Sequence, residues 1–163
     1  MFEQDPPDQA SSAFDLIGKT PLIRINRITA GLAPGVKIYA KLERGNPGGS
    51  VKDRAAFRMI SDAEVKGLLR PEMTILDSTS GNTGIAYAMI GAIKGYRVKI
   101  VIPENAGIER KKIMQSYGAE LVFSSPFGGA DGAILMAKEV LAEHPDRYFQ
   151  VTRQRHPVHS GSA

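Results

Sequence analysis

Residues 46–54, Asn-Pro-Gly-Gly-Ser-Val-Lys-Asp-Arg, separate two kinds of sequence and so limit the folds open to this chain. Before them, apolar runs are short, rich in β-branched residues and broken by turn formers. After them, strand-like and helix-like runs alternate. Pro47, Gly48 and Gly49 interrupt the preceding structure and allow backbone angles that other residues resist. Ser50 is a good helix N-cap, because its hydroxyl can accept an otherwise orphaned amide hydrogen of the first turn. Val51, Ala55, Met59, Ala63 and Val65 then recur at helical spacing over residues 51–69. Lys52 therefore falls in the first turn of a helix, where amide hydrogens and the helix dipole disfavour a protonated amine. A neutral, positioned amine is what Schiff-base chemistry needs. A lysine at a helix start is more often a solvated side chain, so the chemical reading depends on what else the chain carries.

Upstream, residues 1–12 read as a disordered lead-in and residues 13–17 as a short helix closed by Gly18. Residues 21–25 and 36–42 are strand-like, separated by a turn between Gly31 and Gly35. Gly18-Lys19-Thr20 imitates the end of a phosphate-binding P-loop. Its first glycine would fall on Ala13, however, and a strand follows where a helix is required. Downstream, strands are expected at residues 73–77, 97–102, 119–123 and 148–151, and helices at 85–94, 109–117 and 130–143. Such alternation with short connections builds a parallel sheet covered on both faces. There is no internal repeat, and the Gly-x-Gly-x-x-Gly dinucleotide fingerprint is missing.

The second chemical feature is Ser78-Thr79-Ser80-Gly81-Asn82-Thr83-Gly84, read as a loop between a strand and a helix. In parallel α/β sheets that is the end at which ligands bind. The hydroxyls of Ser78, Thr79, Ser80 and Thr83, the carboxamide of Asn82 and the amides of a helix start suit a carboxylate or phosphate. The same residues also make ordinary capped turns. It is their density, one β-unit after a helix-start lysine, that favours an anion site.

Composition removes other classes. The 163 residues carry 21 basic and 17 acidic side chains in interspersed order, without the basic-aromatic stripe of a nucleic-acid binder. With no cysteine there is no disulfide and no cysteine-ligated metal. His144, His156 and His159 lack carboxylates at ligand spacing and are expected in solvent, so no metal site is expected. No signal-like or membrane-spanning apolar run occurs, and a cytoplasmic protein is the default expectation. The Gly-x-Ser-x-Gly elbow of serine hydrolases is absent.

With these motifs in order, the sequence resembles the cysteine synthase (O-acetylserine sulfhydrylase) branch of the fold-type II pyridoxal-phosphate enzymes. The resemblance is carried by Ile17-Gly18-Lys19-Thr20-Pro21-Leu22, the stretch from Asn46 to Arg54, the loop Thr79-Ser80-Gly81-Asn82-Thr83-Gly84, and Pro103-Glu104-Asn105 with Glu109-Arg110. It covers about residues 13–150. It implies a tryptophan synthase beta-like fold, three αβα layers around a mainly parallel sheet. It also implies pyridoxal 5'-phosphate as cofactor, bound as a Schiff base to Lys52, which then serves as the base for the substrate α-proton. Asn82 would hydrogen-bond the cofactor's phenolic oxygen, and Thr79, Ser80, Asn82 and Thr83 would hold the substrate α-carboxylate. The implied reaction is β-replacement: an activated serine such as O-acetylserine loses its leaving group and sulfide adds to give cysteine. A homodimer is expected, without nucleic-acid or membrane partners. Cystathionine β-synthase-like or threonine dehydratase-like specificity is the near alternative, and a non-catalytic, partner-binding remnant the distant one.

Members of the family are longer than this chain. Their glycine- and threonine-rich phosphate cradle lies in a second half, and Gly128-Gly129 does not replace it. The expected organisation is therefore that of a truncated or frame-shifted copy. Residues 13–45 would belong to the family's larger domain, residues 46–150 would form the smaller α/β domain, and residues 151–163 a tail outside the family pattern. Strand edges left without partners in residues 13–45 would favour self-association.

Overall fold

A computed structural model describes residues 10–29, 31–33 and 35–151. The chain divides into two compact units, residues 1–54 and 55–163.

The first unit begins with a 3-10 turn, Ala13–Leu16, set by a reciprocal cap in which the Ser12 hydroxyl accepts the amide of Phe14 and the Asp15 carboxylate accepts the amide of Ser12. A strand then follows Thr20, as the rejection of a P-loop requires. Strands β1 (Leu22–Ile25) and β2 (Ile38–Lys41) pair antiparallel, Leu22 opposite Lys41 and Ile25 opposite Ile38. Among the described residues neither strand pairs with any other. Their apolar side chains stay largely in solvent: Leu22 is 61% and Tyr39 49% exposed. A 3-10 turn, Glu43–Gly45, leads into the glycine-rich stretch.

Helix α1 (Lys52–Val65) starts where Ser50 places it and ends before Gly67. Gly67 is left-handed at φ 67°, and its amide and that of Leu68 bond the carbonyls of Glu64 and Ala63, closing the last turn. Gly118 closes a later helix in the same way, at φ 81°, with its amide on Gln115 and that of Ala119 on Met114.

The second unit alternates β3 (Thr74–Ser78), α2 (Asn82–Lys94), β4 (Arg97–Pro103), α3 (Ile108–Ser116), β5 (Glu120–Ser124), α4 (Gly129–Glu143) and β6 (Tyr148–Gln150). All four strands are parallel, in the order β5-β4-β3-β6. Helix α4 packs on one face, where Ala133, Ala137 and Leu141 meet Leu76 and Val101. Helix α2 covers the other, lying so close to β4 that a Cβ on Gly91 would collide with Val98. The three layers and mainly parallel sheet are those expected. Residues 84 to 91 are buried without interruption, which explains why α2 is apolar around its whole circumference. The sheet extends from β3 in one direction through β4 and β5 and in the other through β6. The order therefore reverses beside β3, and the chain leaving its C-terminal end emerges where α/β sheets bind ligands. Among the described residues, no helix is long and apolar enough to cross a membrane.

Candidate active site

Lys52 is the first residue of α1, and its backbone is held more tightly than the sequence suggests. The Ser50 hydroxyl accepts the Lys52 amide at 3.2 Å, as the cap predicts. The next side chain, Asp53, is completely buried, and its Oδ2 accepts the amide of Gly48 at 2.6 Å. Its Oδ1 is buried without a partner among the described residues. Burial pushes the Asp53 carboxyl above its ordinary range, with the Gly48 amide opposing that shift. The Lys52 side chain is exposed and makes no hydrogen bond or ion pair among the described residues. A free amine thus stands on a fixed base.

Arg54, on the other side of Asp53, ties this turn to the start of the chain. Its Nε and Nη2 donate to the two oxygens of Glu43, both at 2.8 Å, and Nη2 also donates to the carbonyl of Gly18 at 2.9 Å. Asn46 accepts the Gly18 amide at 2.8 Å and donates to Glu43 at 2.9 Å. Thr20 donates to the same carboxylate at 2.9 Å, and Lys41 donates to the carbonyl and hydroxyl of Thr20. Hydrogen bonds from Arg54 hold the Glu43 carboxyl down to about 2. A side chain at Gly18, which is left-handed at φ 85°, would meet the Arg54 guanidinium 2.5 Å away. Sequence reasoning missed this network. Glu43, Asn46 and Arg54 are ordinary polar letters, and their partners lie up to 36 residues away, so no local pattern announces them.

The second candidate element belongs to the other unit. Strand β3 carries Asp77 as its penultimate residue, only 1% exposed, whose Oδ1 accepts the amide of Ser78 at 2.8 Å. Thr79 and Ser80 are half-buried in the connection that follows, and the Thr79 hydroxyl accepts the amide of Gly81 at 3.4 Å. Asn82, Thr83 and Gly84 are not loop, as the sequence reading has them, but the first turn of α2, with Asn82 exposed and Thr83 half-buried. The misreading is natural, since Ser, Thr, Asn and Gly are turn formers and α2 has no capping residue. It starts on Gly81 without a side-chain cap. The hydroxyls and amides of residues 79–83 are therefore gathered at an uncapped helix start, which is the arrangement an anion uses.

These residues fit part of the chemistry that the resemblance implies. The free amine of Lys52 suits covalent attachment of a carbonyl cofactor, and the open donors of residues 79–83 suit a carboxylate. A phosphate cradle is not among them. Gly128 and Gly129 sit at the start of α4 beside Phe127, which is 99% exposed, and the nearest hydroxyl, that of Ser125, caps the amide of Phe127. His144 is exposed at the end of α4, while His156 and His159 lie outside the described residues.

Comparison with known proteins identifies the family. The family described as pyridoxal-phosphate dependent enzymes matches residues 13–158, running past Gln150, where the sequence reading ends the likeness. Residues 152–163 of the expected tail, like residues 1–9 of the lead-in, lie outside the described structure. The chain is 41% identical to a cysteine synthase of Aquifex aeolicus (strain VF5) over 97% of its own length and 49% of that protein's. It is 47% identical to a cysteine synthase of Flavobacterium sp., over 85% of this chain and 44% of that one. The fold superimposes on the crystal structure of the cysteine synthase from Entamoeba histolytica with a TM-score of 0.86 and 38% identity, covering 94% of this chain and 46% of the other. The chain thus spans about half the length of these relatives. By its match to that family, its identity to these relatives and its shared fold, the chain belongs to the fold-type II pyridoxal-phosphate-dependent enzymes, in the cysteine synthase family.

Proposed function

We propose that this chain supplies the lysine and carboxylate-binding parts of a cysteine synthase site, which replaces the leaving group of an activated serine with sulfide. The observation that carries this reading is the amine of Lys52, unpartnered among the described residues, on a capped and anchored helix start. Pyridoxal phosphate, when bound, supplies the electron sink that makes an amino acid's α-carbon acidic. Lys52 would hold that cofactor covalently and would be the base for the substrate α-proton. The donors of Thr79, Ser80, Asn82 and Thr83, with the amides of the α2 start, hold the substrate carboxylate. Asn82 would also hydrogen-bond the cofactor's phenolic oxygen. Closure of this segment over the carboxylate excludes water from the reacting carbon. The leaving group is best read as acetate, from O-acetylserine. A homodimer in the cytoplasm accompanies the reading, and sedimentation of the purified chain tests the dimer.

The test is an absorbance spectrum of the purified chain after addition of pyridoxal phosphate, beside Lys52→Ala. A visible band that shifts with O-acetylserine and is missing from the variant supports the proposal. A chain without a lysine-dependent band lacks this function on its own.

A further inference from the structure

The family resemblance assigns work to Lys52 but none to the residue beside it. Asp53 is a carboxyl with no exposed surface, sited where an ordinary first-turn aspartate would point into water. A buried carboxyl is retained at a cost unless its oxygens are used. One is used: Oδ2 accepts the Gly48 amide at 2.6 Å, a short bond. The other, Oδ1, has no partner among the described residues. Gly48 is matched to this carboxyl, since a Cβ there would lie 2.5 Å from Oδ1 and 2.9 Å from Oδ2. The carboxyl therefore presses on the turn it binds. The tie spans residues 48 to 53 and encloses the Ser50 cap on the Lys52 amide, so the Lys52 backbone is clamped from both sides while its side chain stays free.

We infer that Asp53 is a positioning residue for Lys52: its buried carboxyl, seated against Gly48, fixes the turn from which the lysine amine reaches its target. The inference rests on the reading of Lys52 as the cofactor-binding lysine. What it requires of Asp53 is a hydrogen-bond acceptor of the right length. Asn can supply that acceptor and Ala cannot, and both lack the charge, so comparing the two variants isolates the tie from electrostatics.

The experiment uses the full chain in wild-type, Asp53→Ala, Asp53→Asn and Gly48→Ala forms. Two readouts are taken: amide hydrogen exchange at Gly48 and Lys52, and the ratio of pyridoxal phosphate trapped by borohydride at Lys52 to that at exposed Lys112 in the same sample. In Asp53→Ala, Gly48 exchange rises by about fivefold or more, the factor a single hydrogen bond represents, and the trapping ratio falls toward unity. Asp53→Asn recovers both. Gly48→Ala lowers the ratio with the carboxyl still present, and decides the question if Asp53→Ala does not fold. Unchanged exchange and ratio in Asp53→Ala, a wild-type ratio in Gly48→Ala, or a folded Asp53→Asn that fails to recover would overturn the inference. Should wild-type protein trap no more at Lys52 than at Lys112, the functional reading falls. The tie between Asp53 and the turn is then decided by the exchange data alone.

Discussion

In residues 10–54 the turn carrying Lys52 is held by charge and hydrogen bonds, whereas in residues 55–151 the segment carrying Thr79 to Thr83 is held by apolar packing. The first unit's two strands leave their apolar side chains largely in solvent. Its order comes from the Arg54–Glu43 pair, Asn46, Thr20 and the buried carboxyl of Asp53. The second unit seats its segment between β3 and a helix with eight consecutive buried residues. The contrast has a physical basis. A polar tie fixes direction over a few residues and leaves the adjacent amine unburdened. Packing fixes a backbone over a whole element and leaves the amides at its end open.

The contrast is broken most directly in the apolar unit. Leu76→Ala, in the cluster under α4, lowers stability by about 2–5 kcal/mol, while Lys52→Ala removes cofactor-linked absorbance without moving the melting temperature. Denaturant melts of both variants, beside their spectra, check this. Equal destabilisation would mean that the amine is part of the fold after all.

The next effect concerns Gly84. A Cβ there would stand 3.0 Å from the Thr79 carbonyl and 3.1 Å from the Met114 thioether. Gly84→Ala therefore costs about 1–3 kcal/mol by overpacking. In the double variant with Met114→Ala the total loss falls short of the sum of the two single losses, because removing the thioether relieves part of the clash while the carbonyl remains. Strictly additive double-mutant energies would show that α3 does not brace the segment.

A smaller loss follows from the polar unit. Ser50→Ala removes the acceptor of the Lys52 amide and costs about 0.5–2 kcal/mol, with Ser50→Gly milder. Faster exchange confined to the start of α1 is the expected signature.

The subtlest test is pH. Glu43 is held at about 2, below its ordinary 4.5. Its contribution is complete above the unfolded value and is lost as pH falls from there through about 2. Asp53 is shifted upward, so its folded form takes a proton first and gains relative to the unfolded chain as pH falls. Protection of the Gly18 amide, its exchange rate taken relative to that of an unstructured chain at the same pH, should therefore fall between about pH 4.5 and 2 in wild type, and Glu43→Gln should flatten that limb. The Gly48 amide, on Asp53, should not share the same profile.

The elements were legible because each announces itself locally. Apolar periodicity marks α1, β-branched runs mark β3 and β4, and Gly67, Gly95 and Gly118 mark three helix ends in the left-handed conformation. The lysine turn and the 79–84 segment were legible as motifs for the same reason. Two things were hidden. The start of α2 at Asn82 was obscured because the helix is uncapped and its first residues are those of a turn. The ties among Gly18, Glu43, Asn46 and Arg54 were obscured because hydrogen bonds between distant segments leave no periodic trace. Asp53 stands between these cases. It was visible as a letter of the motif, but its burial depends on Gly48 having no side chain, which only the folded turn reveals.

Gly84 and Gly91 both sit where no side chain fits, one on the Thr79 carbonyl and Met114, the other on Val98. This has a consequence for descent with modification. A lineage selecting for a different ligand can neither slide the helix nor lengthen its first turn without overpacking these contacts. It can still exchange Thr79, Ser80, Asn82 and Thr83, whose side chains retain some exposure. New preferences at this site would be recorded in the identity of a few side chains, against a backbone that stays where it was.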